Sequence, residues 1–532
     1  MQLTRILSVA LLGGAVTDGA RAGSPQSRPV SMDDCVQLAL QHNLDVQIER
    51  LNPRLAQFTL SASYSAYEPR LELGASHSFG SSPGGIDEQG RSYSGIEQEQ
   101  DTLRAGVTGT LPTGLNYGVT STFTDAYGTR PGAIVDPANP IFFLSSTTNL
   151  LDGYVFQTAQ AVPSLAVRNP FENASGFVGV QMSQPLLKNF WTDAARMTIT
   201  LNRRNLKSSE FALQYQIMLT VTDVQISYFA LIAARENVKV QEKALQAAEQ
   251  LLRENKKRVE VGVLAPLDEK QAESQVAASR SSLLSAQSNV RISENTLKNL
   301  LTDKYSEWQD QSLEPTEKLA AGVQVFNRQD SWQKGLTQRP DLLQARLEVE
   351  KQNIRLRYDK NQLFPQLDLT GSYGQTGSGS EFNGALGGVA RGDSPSYSFG
   401  AVLSIPLSNR SARYNYKSSK AQLEQILLRL KKVEQGIMVQ IDDYIAQAQT
   451  SLERVDSTRQ ARLYAEAALD AEQKKLENGK STSFQVLQFQ RDLTARRSEE
   501  IGALTDYNTS LARLALGEGS TLDRSGIKVL VK

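Results

Sequence analysis

The chain is written nearly twice, and that duplication restricts its fold more than any other feature. Val259-Glu-Val-Gly262-Val-Leu-Ala-Pro-Leu267, with Gln271 beyond it, is answered by Leu476-Glu-Asn-Gly479-Lys-Ser-Thr-Ser-Phe484, with Gln488 beyond it. The two glycines lie 217 positions apart. Gly179-Val-Gln-Met-Ser-Gln-Pro185-Leu recurs as Gly400-Ala-Val-Leu-Ser-Ile-Pro406-Leu at an offset of 221. Upstream, Glu68-Pro69-Arg-Leu71-Glu-Leu73 matches Phe364-Pro365-Gln-Leu367-Asp-Leu369, and Asn43-Leu-Asp45 matches Arg339-Pro-Asp341, both at 296. Four landmarks in one order mean duplication of a whole unit rather than a short-period array. Each unit reads helix, strand, strand, long helix, glycine turn, long helix.

The helices carry the clearest periodicity. Ile217, Val221, Val224, Tyr228 and Leu231 are spaced four, three, four, three, and Leu231, Val238, Leu245, Leu252 and Val259 then recur every seven. A sustained seven-residue repeat drives packed helices into a left-handed supercoil. Leu423, Ile426, Leu430, Val433, Ile437, Ile441, Tyr444, Ala448, Leu452 and Val455 repeat the pattern in the second unit. A helix from about Asp193 to Val259 would be roughly 100 Å long at 1.5 Å per residue. Helices over Leu267–Leu301 and Phe484–Leu516 follow the turns, and Leu44–Ser65 and Asp341–Leu363 are expected to extend the hairpins. The drop in offset from 221 to 217 predicts four extra residues in the first long helix, a stutter of about one turn.

Four short alternating segments interrupt the helices: Arg70–Phe79, Gly176–Leu186, Gln366–Tyr373 and Tyr397–Leu407. Alternation over about ten residues is what a membrane-barrel strand requires. Gly374–Ser396 reads as a loop. The first unit's connection is 75 residues longer. Within it Thr102–Leu111 and Leu115–Thr124 flank Pro-Thr-Gly114 and read as a further hairpin, which either joins the same sheet or stands apart from it. Asp125–Asn173 reads as a Pro-punctuated loop. Four strands cannot close a barrel, and an open edge in a bilayer leaves backbone groups unsatisfied at several kcal/mol each. If the strands meet lipid, chains must pool them.

Composition narrows the function. The 532 residues carry 57 basic and 57 acidic side chains, so there is no basic excess for nucleic acid. Met1–Ala22 reads as a signal peptide: Arg5, an apolar Ile6–Val16 stretch and an Ala20-Arg-Ala22 cleavage site. That stretch is too short to span a bilayer, and no later run reads as a membrane helix. Cys35 is the single cysteine, so no intrachain disulfide exists. It lies too far past the cleavage site to be a lipid-modified first residue, and it reads as a small buried residue. With two His, one Cys and six Met, a metal relay is not expected. No P-loop, G-x-S-x-G, H-E-x-x-H or CxxC motif occurs, so neither an enzyme nor a bound cofactor is expected.

The doubled unit, its turns at Val-Gly262 with Asp268 and Glu-Asn-Gly479 with Gln485, and the phrase Gln-Pro185-Leu-Leu-Lys before the long helix together resemble the outer membrane efflux protein family of TolC-like channels. The resemblance covers about Ser31 to Leu516. It implies a mainly α chain with membrane β-strands, three copies pooling four strands each into a twelve-stranded barrel, and a coaxial periplasmic α-barrel. It implies a passive outer-membrane conduit of a tripartite efflux or type I secretion system in a Gram-negative bacterium. Its partners would be a periplasmic adaptor (membrane fusion protein), an inner-membrane pump and outer-membrane lipid. The expected order is a signal peptide over 1–22, a first repeat over 23–301, an equatorial linker over 302–330, a second repeat over 331–516 and a tail over 517–532. The competing reading is a periplasmic coiled-coil adaptor or scaffold without a barrel. A secreted hydrolase is a weaker rival, lacking a nucleophile motif.

By the same resemblance, Gly262 and Gly479 mark the periplasmic tip turns that meet the adaptor. Glycine is also what a tight helix C-terminus asks for, since it adopts positive φ without strain. Asp268 and Lys480 are the latch candidates, although an acid in a helix's first turn is favoured by the dipole alone. Gln485 and Gln488 stand where relatives carry acids that ring the pore. Three glutamines there would give a hydrogen-bonding constriction without a charge barrier. As plain residues, both glutamines could equally be solvated surface.

Overall fold

The structure, a computed structural model, describes residues 27–86, 92–134, 141–148, 155–162 and 164–527. The signal peptide expected over 1–22 and the last five residues of the expected tail lie outside the described residues. In chain order the elements begin β1 (Ser27–Val30), α1 (Met32–His42), α2 (Leu44–Ser63) and a short 3-10 turn. Strands follow: β2 (Arg70–Ser82), β3 (Gly85–Ile86), β4 (Ser92–Tyr93), β5 (Ile96–Thr110), β6 (Asn116–Ile134), β7 (Ile141–Thr148), β8 (Val155–Val162) and β9 (Ser164–Pro185). Next come α3 (Ala194–Glu260), α4 (Pro266–Leu301), α5 (Tyr305–Trp308), β10 (Ser312–Pro315), α6 (Arg328–Gln338) and α7 (Pro340–Asn361). The second repeat ends with β11 (Gln366–Gly379), α8 (Phe382–Arg391), β12 (Pro395–Ser404), α9 (Arg410–Glu477), α10 (Ser483–Glu518) and α11 (Thr521–Arg524).

The chain forms two compact units. One takes residues up to Pro53, Glu210–Gln344 and Lys431 onward; the other takes Arg54–Ser209 and Ala345–Leu430. The first is helical. Its core is built on the seam the periodicity marks: Ile217, Val221, Val224, Tyr228 and Leu231 are all buried, packed with Val30, Cys35, Val36, Ala39, Val46, Leu297, Leu301 and Leu313. Ser31 caps α1 in a reciprocal box with Asp34, satisfying two backbone donors that would otherwise be orphaned. A small parallel pair, β1 with β10, closes over this core, and the Tyr228 hydroxyl donates to the Val30 carbonyl at 3.0 Å. In the second repeat Ile437, Ile441, Ala448 and Val455 of α9 are buried, and Val455 packs with Ala503 and Tyr507 of α10.

The other unit holds a six-stranded sheet in the order β12-β11-β9-β6-β5-β2, antiparallel throughout. Cross-strand partners share a face because the side-chain period is two. One face therefore collects Leu71, Leu73 and Ala75 of β2 with Val107, Ala105 and Leu103 of β5. Val119 and Phe123 of β6 continue it, then Met182, Val180 and Val178 of β9, which pair with Gly371, Tyr373 and Gln375 of β11. Phe399, Ala401 and Leu403 of β12 complete it. The opposite face is mostly polar, with Ser76, Thr102, Thr120, Gln181, Ser372 and Ser398 among its members and Phe177 and Val402 as apolar exceptions.

Four expectations need correction. The expected four strands are six: the 102–124 hairpin is seated inside the sheet, between β2 and β9. The expected loop over 125–173 is largely strand, with β6 reaching Ile134, β9 starting at Ser164 and a separate β7–β8 pair between them. Within 374–396, β11 continues to Gly379 and a short helix follows. That helix, α8, rests on the sheet because both sides lack Cβ atoms: one built on Gly377 would lie 2.2 Å from the Ala385 carbonyl oxygen. The four extra residues are not in the long helix, since α3 has 67 residues and α9 has 68. The strand-to-helix connection, from Pro185 to Ala194 in one repeat and from Pro406 to Arg410 in the other, is five residues longer in the first, and the one-residue longer α9 leaves the net four. Both connections turn on an asparagine with positive φ, Asn189 (65°) and Asn409 (40°).

One further expectation is overturned on composition. A window of α3 is long and apolar enough to cross a membrane, but half of that window is buried inside the protein. Its apolar residues are the core seam already described.

Candidate functional site: the ends of the helix hairpins

Both long helices end in the same backbone device. Gly262 has φ +76° and Gly479 has φ +71°. The Gly262 amide donates to the Val259 carbonyl at 3.0 Å, and the next amide, of Val263, donates to Arg258 at 2.8 Å. The second end repeats this, with Gly479 donating to Leu476 at 3.1 Å and Lys480 to Lys475 at 2.8 Å. This paired pattern satisfies carbonyls that a helix end leaves open, and it needs a left-handed residue at its centre. A Cβ on either glycine would meet nothing within 4 Å, so backbone conformation alone calls for glycine here.

The return helices start differently. Pro266 opens α4 without a side-chain cap, and Asp268 and Glu269 occupy its first turn. Thr482 caps α10, its hydroxyl accepting from the Gln485 amide. Lys480, Gln485 and Gln488 are exposed, and Asp268 is half-buried. The Gln485 side-chain oxygen lies 3.0 Å from the Ser481 hydroxyl oxygen. Among the described residues, Asp268 and Lys480 form no ion pair with each other within the chain.

Other residues tie the two ends together. Asn255 of α3 is 1% exposed. Its amide donates to the Asp268 carbonyl at 3.4 Å, and its carbonyl oxygen accepts from the Ser483 hydroxyl at 2.9 Å. One side chain thus bridges the starts of both return helices. Leu251, Leu476, Val486 and Leu487 form the apolar cluster beside it. Glu472 is buried and accepts from Ser481 at 2.5 Å and from Lys475 at 3.0 Å. The Ser481 hydroxyl, and then Lys475, hold its carboxyl below the usual glutamate value. Further up the hairpin Arg491 donates to Gln275 at 2.6 Å and Ser498 to Asn237 at 2.8 Å.

Sequence reading found both glycines but passed over Asn255, Ser483, Ser481 and Glu472. Asn255 had a signal. It takes a seam position seven and four residues after the buried Ala248 and Leu251, and a polar residue on such a seam sets register. Ser483 and Glu472 had none, because only packing shows which exposed-looking polar residue is enclosed.

A family profile described as "Outer membrane efflux protein" matches residues 157–302 and 332–519. Among curated relatives, the outer membrane efflux protein BepC of Brucella suis biovar 1 (strain 1330) is 24% identical over 364 residues, 67% of this chain and 75% of BepC. The outer membrane protein TolC of Vibrio cholerae (serotype O1, strain El Tor Inaba N16961) is 24% identical over 372 residues, 66% of this chain and 80% of that protein. Among solved structures, the CmeC outer membrane channel of Campylobacter jejuni superposes with a TM-score of 0.60 at 15% identity, covering 92% of this chain and 86% of that one.

Proposed function

The chain belongs to the outer membrane efflux protein family, and from that membership we propose that three copies form one conduit fed by a periplasmic adaptor and an inner-membrane pump. The protein is an outer-membrane channel with a periplasmic part, of the kind that serves tripartite efflux. A scaffold without a barrel has no use for a sheet with one apolar and one polar face. That two-faced sheet is the observation that carries the reading, because its two edge strands, β2 and β12, need partners in lipid. The chain supplies no energy to transport; the pump does.

A second feature supports pooling of copies. Leu44, Ile48, Leu51, Leu55 and Phe58 run four, three, four, three along α2, and each is more than half exposed in the single chain. Such a stripe matches the seam of a helix that packs against a second copy. At the hairpin ends, the turns at Gly262 and Gly479 are proposed to meet the adaptor. Asp268 and Lys480, unpaired with each other within one chain, would latch between copies, and Gln485 and Gln488 would line an uncharged constriction.

The test is fractionation of native envelopes followed by cross-linking and adaptor pull-down. The expected result is an outer-membrane trimer of heat-modifiable mobility that co-purifies with an adaptor and a pump. Recovery of single soluble periplasmic copies would overturn the reading. For the constriction, Gln485→Asp with Gln488→Asp is expected to create divalent-cation block in bilayer recordings; unchanged conductance with divalent ions removes these two residues from it.

A further inference from the structure

We propose that the β5–β6 hairpin is part of the transmembrane wall, so that three copies build an eighteen-stranded barrel in place of the twelve strands expected from the repeat. The inference rests on the channel reading above and adds the width and chemistry of its exit.

Three observations carry it. First, the hairpin is threaded into the sheet at its middle. β5 pairs with β2 over thirteen residue pairs and with β6 over fourteen, and β6 pairs with β9 along its length. Removing it would leave β2 and β9 apart, so it cannot fold away without unmaking the sheet. Second, the hairpin has the same two faces as its neighbours. Leu103, Ala105, Val107, Val119 and Phe123 fall on the apolar side, and Thr102, Arg104, Thr108, Thr120 and Thr122 on the polar side. A hairpin outside the bilayer has no reason to match that alternation in phase. With 15 and 19 residues, both strands exceed the roughly ten that span a bilayer. Third, the parity is right. Six antiparallel strands per copy leave β2 and β12 running in opposite directions. The β12 edge of one copy therefore meets the β2 edge of the next as an antiparallel pair, and the ring closes with no parallel junction and no open edge.

Barrel diameter grows roughly linearly with strand number. Eighteen strands in place of twelve widen the wall by about one half, and its cross-section by about twofold. The polar face that would line the exit is rich in Ser, Thr, Gly and Gln. Its charges in the membrane-height rows balance, with Arg70 and Arg104 set against Glu72 and Asp368. The exit therefore suits bulky hydrophilic cargo and applies no net charge selection.

The first experiment counts strands in an electron cryo-microscopy map of the full-length protein in lipid nanodiscs. Eighteen strands in a trimer is the expected result. A trimer with a twelve-stranded wall and the hairpin outside it overturns this inference and leaves the channel reading intact. Absence of any trimer overturns the channel reading itself. The second experiment uses single cysteines on adjacent hairpin residues; the native Cys35 is fully buried and does not compete for reagent. Leu103→Cys and Val119→Cys carrying a fluorophore are expected to be quenched by a lipid-confined nitroxide, while Arg104→Cys and Thr120→Cys react with a water-soluble thiol reagent. Equal water access at all four positions overturns the inference. Third, deleting residues 83–163 joins β2 to β9 and is expected to lower the largest neutral polymer admitted from the outer side by about one third in diameter. An unchanged size limit, with the trimer retained, contradicts the wider wall.

Discussion

Gly262 and Gly479 are held at φ +76° and +71° with open space where a side chain would stand. Substitution there costs only the left-handed backbone strain of an L-residue, about 1 kcal/mol. Gly479→Ala is expected to lower the melting temperature slightly, and Gly479→Asn less, because asparagine tolerates that region. Equal destabilisation by both would show that the turn needs glycine for some other reason. Asn255 is a larger liability. Asn255→Ala leaves the buried Ser483 hydroxyl without its acceptor and costs about 1–3 kcal/mol. The expected readout is faster amide exchange at 263–270 and at 480–487 together, since one side chain serves both ends; loss of protection at only one end would refute the bridge. Glu472 makes the second end pH-sensitive. Its carboxyl is held below the ordinary value of 4.5 by Ser481 and Lys475, so protonation is harder in the folded chain than in the unfolded one. That contribution is whole above pH 4.5 and fades as pH falls through the lower folded value. Amide protection over 472–485 should therefore persist at pH 5 and drop in more acidic solution, and Glu472→Gln should abolish that acid step.

Among elements, the helices were legible almost to the residue. The helix expected from Asp193 to Val259 is α3, Ala194–Glu260, and that expected over Leu267–Leu301 is α4, Pro266–Leu301. Heptad spacing and a terminal glycine are local signals, so they survive without knowledge of partners. Strand ends were not legible. Pro131 and Pro170 sit inside β6 and β9, yet proline and glycine are the usual marks of a loop. The Gly-rich α8 was equally opaque, because its glycines serve close approach to Gly377 and Gly379 rather than flexibility. The α2 stripe belongs to this scale as well. Leu51→Glu with Leu55→Glu changes a face that is exposed in the single chain, so each copy should still fold. If the stripe seats on a neighbour, each leucine loses about 2 kcal/mol of burial at every interface. Trimer yield should then collapse while the helical circular-dichroism signal stays; an undiminished trimer would assign the stripe to water.

For the whole molecule, the internal duplication sets the repeat order, and that order with its glycine turns is the mark of the family. Each repeat places a helix hairpin, closed by the same left-handed glycine, after a strand pair. The hairpin of residues 96–134 breaks that symmetry, since only the first repeat carries it. Asn255 breaks it again, as a single residue of the first repeat that serves both hairpin ends. By itself the sequence determined the helices, their capped ends and the existence of alternating segments, because each of these is set by residues a few positions apart. Only the tertiary structure decided how many strands share the sheet, where the extra residues of the first repeat went and which polar side chains are enclosed. Those outcomes depend on pairings between residues tens to hundreds of positions apart, and a segment that alternates apolar and polar does so identically whether it stands alone or joins a wall.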